Sequence, residues 1–143
     1  MFDLGDGRVP LFSYKQSGLM FFNILIIGLG GMAGTVARFL TVIMVARAVP
    51  STFPLGTFVV NVIGCFVMGI VFGLASRFEW LNPEWRFFLA TGFCGGFTTF
   101  SAFAYENLTL IENRDYITFA LNTVLSVGVC LAAVFLGLLV TRS

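Results

Sequence analysis

Residues 91–106 read TGFCGGFTTFSAFAYE and lie within a long apolar run. The glycine pair Gly95 and Gly96 is followed by the hydroxyl side chains of Thr98, Thr99 and Ser101. Paired glycines lower the cost of leaving a helix, and hydroxyls compete for backbone hydrogen bonds. In a membrane, such irregular backbone is tolerated only inside protein or beside a watery cavity. The pattern therefore predicts a broken helix.

The composition of the whole chain indicates a membrane protein. The chain has 143 residues, 58% hydrophobic and 10% charged, with a mean hydropathy of +0.97. Soluble domains carry about 25% charged residues, so a water-soluble enzyme is excluded as the default. The absence of histidine removes histidine-based metal, haem and acid–base chemistry. A net charge of +1 gives no indication of nucleic-acid binding.

Four apolar runs reach the roughly 20 residues that a membrane-spanning helix needs. They cover residues 20–46, 55–75, 87–111 and 117–140. We therefore predict an all-α integral membrane protein with four transmembrane helices, the third of them broken. Residues 1–19 form a polar lead-in, interpreted as a disordered tail or a mis-assigned start, and residues 20–143 form the membrane domain.

Basic residues give the expected orientation. Four spans place both termini and the second connection on one side, with five basic residues against two on the other: Arg8, Lys15, Arg77, Arg86 and Arg142 against Arg47 and Arg114. The positive-inside rule then favours both termini inside. A start at Met20 leaves three against two, which is almost no bias and allows insertion in both orientations.

Small residues and cysteines complete the apolar inventory. The glycine pairs 30/34, 69/73 and 92/96 have the spacing that lets helix backbones approach closely in lipid. The three cysteines, an odd number without a spacing pattern, are interpreted as packing residues rather than a disulfide framework or metal site: Cys65, Cys94 and Cys130.

Polar residues inside a span are costly and are therefore candidates for function. Arg38 is either an anchor that reaches the interface or a charge that attracts an anion. Asn61 either joins two helices by hydrogen bonds or offers donors to a ligand. Phe100 and Phe103 share a helix face beyond the break, as packing or as pathway residues. Glu106, one turn further on, is a vestibule charge or a proton site.

The spans contain no nucleophile paired with a base, and no phosphate loop or cofactor motif. They do contain a set of hydrogen-bond donors: Thr57, Asn61, Thr98, Thr99, Ser101 and Ser126. Aromatic edges carry partial positive charge, so Phe100 and Phe103 are suited to face an anion. Small, hard anions need many short hydrogen bonds to replace their water. The inventory favours a narrow anion path, although it is also compatible with a polar solute.

Three stretches together resemble the CrcB/Fluc fluoride channels. They are GFCGGFTTFSAF (residues 92–103), the context of Asn61, and GGMAGTVAR (residues 30–38). The resemblance covers residues 20–142, and the third-span motif is long and chemically unusual. It implies a multi-pass protein of the bacterial inner membrane that assembles as an antiparallel, dual-topology homodimer. Such a dimer has two fluoride pathways and lowers cytoplasmic fluoride by passive efflux.

The resemblance also implies roles for individual residues. Phe100, Phe103 and Asn61 correspond to pore residues, and Ser126 to a hydroxyl position in the fourth span. Arg38 corresponds to a vestibule arginine and Glu106 to a central glutamate. A structural sodium ion at the dimer centre would be held by backbone carbonyls, here those of Gly95 and Thr98.

The chain departs from the commoner family pattern at two positions. Ala102 stands where Ser or Thr is frequent, and Cys130 stands where a second fourth-span serine is frequent. Both changes make the polar track along the pathway thinner.

Two other functions are compatible with four short spans. A small proton-coupled multidrug exporter needs a membrane carboxylate, typically in the first span, but the first span here carries Arg38 instead. A membrane anchor or assembly subunit would explain the hydropathy but gives no reason for the break or for Asn61.

Overall fold

The computed structural model of the chain describes residues 17–77 and 83–142. Its α-helices are α1 (Ser17–Ala48), α2 (Leu55–Arg77), α3 (Pro83–Arg86), α4 (Gly95–Phe97), α5 (Phe100–Glu112) and α6 (Tyr116–Arg142). A wider π-helical segment, Phe87–Cys94, joins α3 to α4. We call α3, this segment and α4 the first half of the third span, and α5 its second half.

All regular elements within the described residues are helical, and four stretches are long and apolar enough to cross a membrane: Met20–Ala48, Leu55–Arg77, Glu84–Glu112 and Tyr116–Thr141. The four predicted spans are thus confirmed. Large apolar side chains on their outer faces are exposed, for example Ile117 at 75%, as a surface in contact with lipid requires. Helix α1 begins at Ser17, three residues before the predicted boundary, and residues 1–16 lie outside the described part of the chain.

The first span packs against the first half of the third span through glycines. A Cβ on Gly34 would meet the carbonyl oxygen of Phe93, and one on Gly96 would meet the carbonyl oxygen of Gly31. A Cβ on Gly30, one turn before Gly34, would meet the carbonyl oxygen of Phe88. The contacts therefore advance in the same direction along both helices, and the two helices run parallel. Close backbone approach at small residues is the packing expected in lipid.

The second and fourth spans form a similar parallel pair. A Cβ on Gly69 would meet the carbonyl oxygen of Val134, and one on Gly73, a turn later, would meet the side chain of Thr141. A Cβ on Gly137 would meet the carbonyl oxygen of Phe66. The three glycine pairs noted in the sequence therefore lie at helix contacts, as predicted. Together the two pairs leave α5 packed mainly against α6.

The third span is broken where the hydroxyl residues predict it. Thr98 and Thr99 are extended, with φ/ψ of −77°/158° and −151°/116°, and helix resumes at Phe100. Gly95, by contrast, is helical, with φ/ψ of −63°/−38°. The glycine pair is thus not the position of the break. Gly96 instead permits the close contact with Gly31 just described, and the π-helical turn before it is a local departure from α-helix.

Candidate functional site

The side chain of Asn61 bridges the break. Its Oδ1 accepts the backbone N–H of Thr99 at 2.8 Å, and its Nδ2 donates to the Thr99 carbonyl at 3.1 Å. The carboxamide thereby supplies the acceptor and the donor that neighbouring peptide groups would supply to Thr99 in a continuous helix. Backbone groups inside a membrane must be paired within the protein, so the break depends on an asparagine from another span.

Thr99 also begins the next helix. Its Oγ1 accepts the N–H of Ala102 at 3.2 Å, which is the usual cap at a helix N-terminus, and it lies 3.2 Å from the Ser101 hydroxyl. In a continuous helix the N–H groups of Thr99 and Ala102 would bond the carbonyls of Gly95 and Thr98. Both donors are used elsewhere, so those two carbonyls lose their helical partners.

Arg38 places a positive charge at the same break. One guanidinium nitrogen, Nη1, makes a long contact of 3.5 Å to the Thr98 carbonyl. Three residues earlier, the hydroxyl of Thr35 makes a similar contact to the Gly96 carbonyl. The first span thus brings a cation and a donor to the carbonyl side of the break.

An open groove of about 320 Å³ lies on the outside of the bundle at this point. Six of the predicted residues line it: Asn61, Thr98, Thr99, Phe100, Phe103 and Ser126. The rings of Phe100 and Phe103 have centroids 5.6 Å apart at an angle of 39°. Phe100 is 79% exposed, so one chain by itself does not enclose the groove.

Glu106 is tied to the second span. Its Oε1 accepts the hydroxyl of Thr57 at 2.6 Å, and Thr57 is itself buried. The other oxygen, Oε2, is buried without a hydrogen-bond partner among the described residues. The hydroxyl proton of Thr57 is therefore donated to Glu106 and not to a ligand.

A buried polar chain joins α5 to α6. The Nδ2 of Asn122 donates to Oδ1 of Asn107 at 3.1 Å, and the hydroxyl of Ser126 donates to Oδ1 of Asn122 at 3.3 Å. Asn122 is 1% exposed. Sequence reasoning missed both asparagines, although Asn122 is a polar residue four positions before Ser126 in an apolar span and meets the criterion applied to Asn61.

The structure thus gathers most of the predicted residues at one place. Gly95 and Ser101 lie on the exposed side of the third span, outside the groove lining. Thr57 and Glu106 form a separate contact between α2 and α5. Of the three free cysteines, Cys65 and Cys130 line the groove, and Cys94 is buried.

Comparison with known proteins identifies the family. Residues 25–138 match the family described as CrcB-like protein, Camphor Resistance. A fluoride-specific ion channel FluC of Gloeothece citriformis is 44% identical over 120 residues, 84% of this chain and 97% of the relative. FluC proteins of Azobacteroides pseudotrichonymphae and Campylobacter jejuni are 43% and 41% identical over the same share of this chain and 96% and 98% of their own lengths.

The relatives are named as ion channels and not as enzymes, in agreement with the absence of catalytic motifs from the sequence. The match extends from the first span to the fourth, so it includes both the break and the groove. The chain therefore belongs to the CrcB-like family of multi-pass membrane proteins, whose relatives in these bacteria are named fluoride-specific ion channels.

Proposed function

We propose that the protein is a passive fluoride channel that lowers cytoplasmic fluoride by efflux across the bacterial inner membrane. The observation that carries the proposal is the groove in which the phenylalanine pair lies beside Asn61 and the broken third span. The names of the relatives supply the ion.

The path is completed by a second copy of the chain in an antiparallel, dual-topology homodimer. Support comes from the exposure of Phe100 at 79% and from the open side of the groove. A two-fold interface uses each surface twice. Two copies therefore give two paths, each lined by both chains.

Fluoride is small and strongly hydrated, so the path must replace its water with donors. Of the predicted donors, the hydroxyls of Thr57 and Ser126 are used on Glu106 and Asn122, and that of Thr98 is used on the Cys94 carbonyl. The second amide proton of Asn61 and one hydroxyl proton of the Thr99–Ser101 pair remain. Ring edges of Phe100 and Phe103 add partial positive charge.

Arg38 raises the local fluoride concentration at the vestibule by its positive charge. Glu106 accepts a hydrogen bond from Thr57 through one oxygen. With its other oxygen it acts as the central glutamate, either as a vestibule charge or as a proton site. Both assignments follow the resemblance of this chain to fluoride channels.

A structural sodium ion fits the carbonyl oxygens at the break. Hard cations prefer oxygen ligands, and the carbonyls of Gly95 and Thr98 lose their helical partners because Asn61 and Thr99 Oγ1 take the corresponding N–H groups. Two copies would supply four such oxygens. When bound, the ion would join the two chains electrostatically.

Fluoride efflux from liposomes, followed with a fluoride electrode, tests the function. We expect rapid passive efflux that needs no proton gradient, against protein-free liposomes as the control. Efflux no faster than in protein-free liposomes would exclude the channel. Proton-driven uptake of an organic cation would favour the multidrug exporter instead. Repeating the assembly with sodium replaced by a bulky organic cation tests the ion, and an unaffected dimer would count against it.

The phenylalanine pair gives a more specific test. Phe100→Ile and Phe103→Ile are each expected to cut fluoride flux while the dimer survives, because isoleucine keeps apolar bulk but lacks a polarised ring edge. Phe135→Ile is the matched control, since Phe135 is half exposed on α6 away from the groove lining. Wild-type flux in both groove variants would remove the rings from the pathway.

A further inference from the structure

Three sulfur-containing side chains line one wall of the groove. Cys65 and Met68 come from α2, and Cys130 comes from α6. The thiols of Cys65 and Cys130 are free, and both line the same groove. Because Cys65 and Met68 are three residues apart on a helix, they share a face. This part of the groove thus carries soft sulfur ligands, whereas fluoride binding requires hydrogen-bond donors.

The backbone fixes this arrangement. Helices α2 and α6 run parallel, and Gly69 meets the backbone of Val134, each four residues beyond its cysteine, so Cys65 and Cys130 lie at the same level of the helix pair. Such close backbone contact leaves little freedom for either helix to slide. Cys65 and Cys130 are both half-buried rather than sealed, so they remain accessible from the groove.

The ligand set selects a class of metal. No group of three Cys, His, Asp or Glu side chains gathers anywhere in residues 17–77 and 83–142, so a four-ligand zinc site is not formed by these residues. Two thiols and a thioether suit soft monovalent cations, which accept low coordination by sulfur. Copper(I) and silver(I) belong to this class.

We propose that Cys65, Met68 and Cys130 form a binding site for a soft monovalent cation, copper(I) or its chemical equivalent silver(I). Each thiol that binds the ion loses its proton. Binding to both thiols therefore releases two protons to water, and the neutral pair becomes a bis-thiolate complex of net charge −1. No electron is transferred, and the Met68 sulfur joins as a neutral ligand.

The bound ion would also act on the anion path, an effect that rests on the proposed fluoride function. A complex of charge −1 in the groove that Asn61 and Phe103 also line repels fluoride, since Coulomb interactions are weakly screened away from water. Soft cations are thus expected to inhibit the channel, and a thiol reagent that extracts them is expected to restore it.

Silver binding to the purified protein tests the site without reference to flux. The protein is dialysed in detergent against silver nitrate in chloride-free buffer, and retained silver is measured by mass spectrometry. We expect wild type to retain one silver ion per chain, and Cys65→Ser and Cys130→Ser to lose that retention. Met68→Leu should weaken it. Retention by both serine variants at the wild-type level would overturn the proposal.

Cys94→Ser is the matched control, because Cys94 is 0% exposed and does not line the groove. It should bind silver as wild type does, and loss of binding in this variant would overturn the ligand assignment. Monodisperse elution of each variant shows that it is folded. Should a serine variant fail to fold, silver protection of Cys65 and Cys130 from alkylation in wild type, located by peptide mapping, gives the same answer.

Fluoride efflux from liposomes tests the inhibition of the channel separately from the binding of silver. Silver should slow fluoride efflux through wild type and Cys94→Ser, leave Cys65→Ser and Cys130→Ser unaffected, and be reversed by excess dithiol. Stoichiometric binding without any slowing would overturn the block but not the site. Absence of fluoride efflux in untreated protein would instead refute the proposed function, and the binding measurement would stand apart from it.

Discussion

Replacing Asn61 by leucine is expected to abolish fluoride flux and to destabilise the fold strongly. Leucine removes both partners of the Thr99 backbone while keeping a similar volume. An unsatisfied buried polar group costs about 1–3 kcal/mol, and this variant leaves both the N–H and the carbonyl of Thr99 without their partner. The variant should show a lower unfolding midpoint in denaturing detergent and a smaller monodisperse fraction on size exclusion.

Asn61→Asp separates the two bonds of that side chain. Aspartate keeps an acceptor for the Thr99 N–H but loses the donor to the Thr99 carbonyl, so it should fold better than the leucine variant. Its flux should still be low, because a carboxylate in the groove repels anions.

Asn23→Leu is the control for this series. Asn23 lies on α1 at least a dozen residues before the contacts of Thr35 and Arg38 with the break. It should behave as wild type. An Asn61→Leu protein with wild-type stability and flux would contradict the bridging role.

Gly34→Ala is expected to disrupt packing, whereas Gly28→Ala on the same helix is expected to be tolerated. A Cβ at Gly34 would meet the backbone of Phe93 and Phe97, but at Gly28 nothing lies within 4 Å. Overpacking costs about 1–3 kcal/mol when side chains can adjust, and backbone atoms adjust less readily. Alanine at an open helix position gains about 0.5–1 kcal/mol over glycine.

The two glycine variants can be compared by unfolding in denaturing detergent, followed by circular dichroism. Gly34→Ala should unfold at lower denaturant than wild type, and Gly28→Ala at the same concentration or higher. Equal destabilisation by both alanines would show that glycine is needed for reasons other than the contact between α1 and the third span.

Much of this architecture is predictable because it follows from local chemistry. Span lengths reflect membrane thickness, and the break at Thr98 and Thr99 reflects hydroxyls that compete with helical hydrogen bonds. The helical geometry of Gly95 was not predictable, because glycine permits a break without requiring one and the neighbouring helix decided the outcome.

The hydrogen-bond partners of the site residues depend on contacts between helices. Thr57 and Ser126 were expected to face an anion, but their protons go to Glu106 and Asn122. The proximity of Cys65 and Cys130 likewise comes from the register between α2 and α6, which sequence spacing does not contain. Treating every asparagine within a predicted span as a candidate, as was done for Asn61, identifies Asn122 as well.

The bridge at the break also bears on how the protein is made. A membrane helix is normally a self-sufficient insertion unit because its backbone is paired within the segment. The third span lacks this property, since among the residues that the structure describes the Thr99 backbone is paired by Asn61 of the second span. We therefore expect the second span to remain beside the third span while the third span enters the lipid during synthesis.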